Sequence, residues 1–369
     1  MMIKVQDILD SLYKLAPVSL AFDWDNVGLQ LGSRTQEISS VLLCLDVDNS
    51  ILDEALGNNC QLIISHHPFF FNSLKNIDLD SKQGNIIKKF INNDISLLSF
   101  HTNLDIAVEG LNDYLAEKLE VYNCQNLKVL NYEKLYKLIV YIPESHYERV
   151  KMAILDAGAG WFGNYSHTSF STEGRGTFKP LPDSQPYLGK KGVINTVDEI
   201  RFETIIKEED LETILKVMIN EHPYEEIAYD LYHLTNKGRE DGIGRIGRLR
   251  KACTLKEYLD FVKRRLGLKQ LRFVGENNRH IRTVALCCGS GSDLIESASK
   301  AGADLYISGD IKYHDAQLAE RLDMALLDAG HYETEIIVKE LLREYLSKEI
   351  KGINYLVSSV NTNPWKYRG

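Results

Sequence analysis

At 369 residues the chain exceeds one average domain, so two or three are expected, with enough length to bury a core without disulfide or metal staples. A formal net charge of −9 and a sequence pI near 5.6 argue against a nucleic-acid-binding surface. Nowhere do about 18 apolar residues run together, which excludes an evident membrane-spanning helix and leaves small-molecule chemistry as the starting expectation.

The chain opens with MMIKVQDILDSLYKLAPVSL, in which Lys4, Asp7, Asp10 and Lys14 alternate with apolar residues at helical spacing. This predicts an amphipathic helix rather than a secretion signal. Next come apolar runs at Val41–Leu45, Leu62–Ile64 and Ile95–Phe100, separated by helical patterns. Strands alternating with helices predict a mostly parallel sheet.

A different pattern occupies the middle. Strand-like Leu135–Ile142, helical Ser145–Ala157, short strands with Gly-rich turns, strand-like Ile200–Ile206, helical Glu209–Asn220 and strand-like Ala228–Leu234 come in that order. This reads as a βαββαβ, ferredoxin-like module, with the polar segments 126–133 and 235–241 as its linkers. Inside it, FKPLPDSQPYLG is a Pro/Gly-rich loop and EHPYEE precedes a strand, while His146 and His222 read as surface or capping histidines.

Late in the chain the first pattern returns, with runs at Val284–Cys288, Leu305–Ile307 and Ala325–Leu327. Sliding the sequence by 243 residues lays Val41 on Val284, Leu43 on Leu286, Cys44 on Cys287, Leu62 on Leu305 and Ser65 on Ser308 without a gap. The expected architecture is therefore α/β: two similar lobes, residues 1–128 and 237–369, around an inserted α+β domain, residues 129–236. Six cysteines without CxxC spacing read as buried thiols of a cytoplasmic protein.

Parallel sheets bind ligands beyond the carboxyl ends of their strands. In the first lobe those ends carry Asp46, then Ser65-His66-His67-Pro68, then HTNLD with His101 and Asp105. In the second they carry GSGS (289–292), Ser308-Gly309-Asp310 and DAGHYETE. Adjacent residues of an extended segment point apart, so His66 and His67 can each reach one of two neighbouring ions, and Pro68 favours that extended form. His331 and Glu335 lie four apart where an amphipathic helix begins, which puts both on one face. Alone, a tandem histidine pair is more often a hydrogen-bonded loop pair, and HxxxE a solvent-facing pair. Together, His66, His67, Asp105, His331 and Glu335 make a mixed nitrogen and oxygen set suited to two divalent ions. His101 and His314 are the candidate catalytic residues: His101 either supports a ligand or moves protons, and His314 either faces substrate or is structural. Asp310 is placed to orient a ligating imidazole, and GSGS could cradle an anion.

DWDNVGLQLG (Asp23–Gly32), SHHP, HTNLD, SGDIKYHDA (Ser308–Ala316) and GHYETE together resemble the Nif-three-like family, whose members are labelled GTP cyclohydrolase 1 type 2 homologues. The resemblance spans nearly the whole chain and is to the longer bacterial form, with a module similar to the PII and CutA signalling proteins inserted. It implies a two-lobed fold around a dinuclear cleft, with His66, His67, Asp105, His331 and Glu335 as ligands, Glu335 as their bridge, and zinc, manganese or iron as the metal. It also implies a toroidal homohexamer and a nucleotide-like substrate such as GTP. The chain lacks any cysteine-containing zinc motif of the better-understood GTP cyclohydrolases. Two functions are expected to compete: a metal-dependent hydrolase, and a non-enzymatic metal-binding or regulatory assembly with the insert as sensor.

Overall fold

Parallel strands covered on both faces read as unbroken apolar runs, and the early runs behave this way. In the computed structural model, which describes residues 2–366, Ser40–Cys44, Leu62–Ser65 and Ser96–Ser99 lie parallel with every residue buried. Asn354–Val357 joins parallel beside the first, and Gly28–Leu31 antiparallel beside the third, completing a five-stranded sheet. The late runs build a six-stranded sheet. There His280–Ser290, Leu305–Gly309 and Ala325–Asp328 are parallel, Arg272–Val274 lies antiparallel on the outer edge, and Glu240–Thr254 then Tyr122–Tyr132 extend the other. The two halves share a register: Val41 faces Leu62 and Val284 faces Leu305, reproducing the 243-residue offset of the sequence.

The N-terminal helix, Val5–Leu15, buries Val5, Ile8, Leu9 and Leu12 along one stripe. They join Leu43, Ile64 and Leu98 of the first sheet in an apolar cluster that also takes in Val284, Leu286, Ile307 and Leu327 of the second. The facing sides of both sheets thus close over one core. On the outer sides, Ile51, Leu52 and Phe90 cover Leu42 and Leu97, while Ile295, Ala298 and Ala319 cover Ala285, Tyr306 and Leu326. Cys44, Cys60, Cys287 and Cys288 are buried in these layers, Cys124 and Cys253 are half-buried, and all six are free thiols.

The chain divides into two units, one taking the chain up to Leu130 and from Asp241 onward, the other Asn131–Glu240. The second unit runs Leu135–Pro143, helix Tyr147–Asp156, Ser169–Phe178, Asn195–Lys207, helix Leu211–Glu221 and Tyr229–His233. Its four strands are antiparallel, with the fourth beside the first and the third between the first and second, which is the ferredoxin-like order. Val140, Ile154, Phe202, Ile214 and Met218 give it a core of its own. Of the two polar segments expected to be linkers, 235–241 is irregular up to Glu240, whereas 126–133 is largely strand. Tyr122–Tyr132 runs through the latter with only Leu127 buried along its length, so the polar composition belongs to a sheet edge.

Arg245 joins the two lobes of the first unit from inside. Only 3 % exposed, it forks onto Asp113 through Nε at 2.6 Å and Nη2 at 2.9 Å. It also donates to the Gly244 carbonyl at 2.9 Å and the Ala107 carbonyl at 2.9 Å. Ala107 comes just after the short helix Thr102–Ile106, so the guanidinium pins the end of the helix that carries Asp105. Replacing a buried, fully bonded cation leaves its acceptors without donors. Arg245→Met is expected to cost about 3 kcal/mol in urea unfolding, and Arg245→Lys to recover little because an ammonium cannot fork.

Candidate metal centre

The carboxyl ends of both sheets meet at one place. His66 and His67 directly succeed Leu62–Ser65, and their amides still bond the Cys44 and Leu45 carbonyls. His101 and Asp105 bracket the one-turn helix after Ser96–Ser99; His331 and Glu335 bracket the one-turn helix after Ala325–Asp328. The third parallel strand of each lobe therefore leads into a histidine and a carboxylate four residues apart. The His66 ring lies 5.2 Å from those of both His67 and His101, and the His67 ring 5.6 Å from that of His331.

Each imidazole is tied back through the same nitrogen. Nδ1 of His66 meets the Phe100 carbonyl at 2.7 Å, that of His67 meets Asp46 at 2.6 Å, that of His101 meets Asp25 at 2.9 Å, and that of His331 meets Asp310 at 2.7 Å. Carbonyls and carboxylates only accept, so Nδ1 carries a proton in each ring and Nε2 is the nitrogen left to take a metal ion or a second proton. Three of those Nε2 atoms face carboxylates. His66 Nε2 lies 3.6 Å from Asp105 Oδ1 and 3.9 Å from Glu335 Oε1, while His67 Nε2 and His331 Nε2 lie 3.0 and 2.9 Å from Glu335 Oε2. His66 Nε2, Asp105 Oδ1 and Glu335 Oε2 are buried without a hydrogen-bond partner. The donor atoms of His66, His67 and His101, and of His67, His331 and Glu335, lie close enough together to hold a metal ion.

Only a positive charge settles such an arrangement. Burial pushes His66 down to about 3 and Asp105 up to about 7. At His67 burial is outweighed by Asp46 and Glu335, which raise the imidazole to about 10; Glu335 and Asp310 raise His331 to about 9 against burial. Burial would raise Glu335 as well, but His331 and His67 draw it well below the ordinary carboxylate range. Without a metal ion, protons on His67 and His331 serve as the counter-charge. A nitrogen and carboxylate donor set, tied from behind and wanting a cation, fits a divalent metal.

Comparison with known proteins agrees in scale with this architecture. Residues 3–364 match the family described as Duf34/NIF3 (NGG1p interacting factor 3). The chain belongs to the DUF34/NIF3 family. It is 39 % identical to a Bacillus subtilis relative named GTP cyclohydrolase 1 type 2 homolog, over 98 % of each chain. A Bacillus cereus protein related to NIF3 has a crystal structure that superposes with a TM-score of 0.90 at 38 % identity, covering 100 % of both chains. A Staphylococcus aureus protein superposes at 0.79 with 30 % identity, covering 100 % of this chain and 99 % of the other.

Within this DUF34/NIF3 chain the structure brings His66, His67, His101, Asp105, His331 and Glu335 together, with Asp310 behind His331. It does not bring in His314. A left-handed turn at Asp310, φ 55°, returns that carboxylate to His331, and the chain then starts the helix Tyr313–Arg321, where His314 is exposed and bonded to Gln317 at 3.1 Å. GSGS has a use other than the expected anion cradle: a Cβ on Gly289 would collide with Glu335 Oε1, so the bare backbone makes room for that carboxylate. Sequence reasoning assigns no role to Asp25, Asp46 or the Phe100 carbonyl. Asp25 sits in DWDN, whose Trp24 ring also lies 6.0 Å from His101, and Asp46 is further held by Thr362 near the C-terminal end.

Two outcomes are expected of this DUF34/NIF3 centre. Asp46→Ala, which frees the His67 ring, should weaken metal binding roughly 10–100-fold in a chelator competition. Because metal must displace the protons on His67 and His331, apparent affinity should climb with pH and level off once pH passes about 9 to 10, the folded-state values of these two groups. Calorimetry in buffers of different ionisation enthalpy should register that proton release at neutral pH, and its absence would contradict the assignment.

Proposed function

We propose that the cluster holds two divalent ions, drawn from zinc, manganese or iron, and that the protein is a metal-dependent hydrolase of GTP or a nucleotide-like small molecule. The observation behind this reading is the set of three imidazoles, His66, His67 and His331, each tied through Nδ1, whose Nε2 atoms converge on Asp105 and Glu335, with the His101 ring beside them. His66 and Asp105 would hold one ion and His67 and His331 the other, with one Glu335 oxygen turned toward each group. Ions bound there would supply charge that polarises a substrate oxygen and draws the ionisation of water toward neutral pH. The chain's own contribution is positional. Asp46, Asp310 and the Phe100 carbonyl hold the rings in one orientation, which spares that ordering at the moment of binding. His101, steadied by Asp25, is the group placed to accept a proton from the nucleophile or return one to the leaving group. The name carried by the Bacillus subtilis relative supports GTP as the first substrate to assay.

We also propose a cytoplasmic, toroidal homohexamer; the six free thiols suit a reducing compartment, and no helix among the described residues is long and apolar enough to cross a membrane. A second reading, a non-enzymatic regulatory assembly with a PII/CutA-like insert as sensor, draws support from the insert's separate core.

Purified protein loaded with manganese or zinc is expected to convert at least one member of a nucleotide panel, covering both ring opening and phosphoester cleavage. His67→Ala should lower that rate by roughly 100-fold or more with the gel-filtration volume unchanged. A fully metallated sample that turns over nothing would sink the hydrolase and leave the regulatory reading.

A further inference from the structure

Two motifs of the inserted unit take no part in the metal centre, yet they meet each other. FKPLPDSQPYLG leaves the strand Ser169–Phe178, and EHPYEE links the helix Leu211–Glu221 to the strand Tyr229–His233. Together they wall a cavity of about 530 Å³, within the usual range for small-molecule sites. Its apolar wall is aromatic: the Tyr224 ring lies 6.4 Å from that of Phe178 and 6.3 Å from that of Tyr187, and Tyr187 is braced edge-on by His146 at 5.2 Å. Leu181, Pro186 and Leu188 continue it.

The polar lining is one-sided. Glu199, Glu225 and Glu226 share the lining with one cationic residue, Lys179, and none of the three carboxylates forms an ion pair among the described residues. Their hydrogen-bond partners are neutral: Glu199 Oε1 accepts from the Tyr224 hydroxyl at 2.9 Å, and Glu225 Oε2 from the Gln185 amide at 2.7 Å. Glu199 is half-buried, and its other oxygen occupies the space that a side chain at Gly176 would fill, since a Cβ there would collide with it. The glycine thus leaves room for a carboxylate against the sheet beside three aromatic rings. Ring faces and unpaired carboxylates attract the same kind of guest, a positive charge carried on an apolar body.

We propose that this cavity binds a small organic cation, an ammonium or guanidinium bearing an apolar group, with Glu199 and Glu225 answering its charge and Phe178, Tyr187 and Tyr224 its body. Such binding is independent of the metal centre and of the hydrolase reading. It assigns the inserted unit a ligand of defined charge, and it gives both unplaced motifs a purpose.

The test uses the full chain and three probes of one shape: benzylammonium, benzyl alcohol and benzoate, titrated by ligand-observed NMR and calorimetry. Benzylammonium is expected to bind saturably below about 10 mM, benzyl alcohol roughly 10-fold more weakly, and benzoate not at all. Glu199→Gln and Tyr187→Ala should each weaken benzylammonium roughly 10-fold without lowering the melting temperature. Should Glu199→Gln fail to fold, Glu225→Gln at an exposed position reads the same charge term. Benzoate or the alcohol binding as tightly as the amine, no saturable binding of the amine, or wild-type affinity in the folded charge-removing variant would overturn the proposal.

Discussion

A buried carboxylate ringed by imidazole lone pairs is unstable unless a positive charge joins the ring. Glu335 is in that position, 4 % exposed and within 3.0 Å of nitrogens from both lobes. Much of the first unit's local design serves it. Gly289 gives up its side chain so that the end of its strand can pass beneath the carboxylate, and the Gly289 amide donates to Thr334 in the helix that carries it. Tethers on the far side of every ring remove the freedom by which an imidazole would turn away from its neighbours. A proton can fill the gap, which is why two of the histidines hold theirs so firmly, but protons are readily exchanged for a metal.

The site is also a product of repetition. Two sheets with the same register end their third parallel strand in the same device, a single helical turn with histidine at its head and a carboxylate four residues later. Each copy alone offers an incomplete set of donors. Faced against each other across a shared core, the copies complete a cluster that neither strand order nor helix geometry would produce singly. Arg245 and Asp113 hold that facing arrangement from within, at the base of the Asp105 turn.

Much of the site is legible in the linear sequence because strand ends are local. His66, His67, His101 and His331 lie within a few residues of the end of an apolar run, with Asp105 and Glu335 one helical turn beyond two of them, and a parallel topology requires such ends to converge. The hidden part acts through groups that carry no residue-type signal or lie far away along the chain. The acceptor behind His66 is a backbone carbonyl, and the Asp25 that steadies His101 is 76 positions distant. His314 lies further on, exposed in the first turn of the helix Tyr313–Arg321 after a left-handed turn at Asp310, where reasoning from the strand end alone no longer reaches. The segment 126–133 is polar because an edge strand faces water on most of its length, and composition alone does not separate an edge from a loop.

The manner of insertion carries its own consequence. The strands that lead to and from the second unit are neighbours in one sheet, and just inside that unit's two ends the Glu133 amide donates to the Arg239 carbonyl at 2.9 Å. Chain ends already side by side impose almost no loop-closure entropy on whatever is spliced between them. The junction therefore works as a hairpin whose tip has been exchanged for a domain, and a lineage could acquire or shed the whole module in one genetic event without disturbing the host fold.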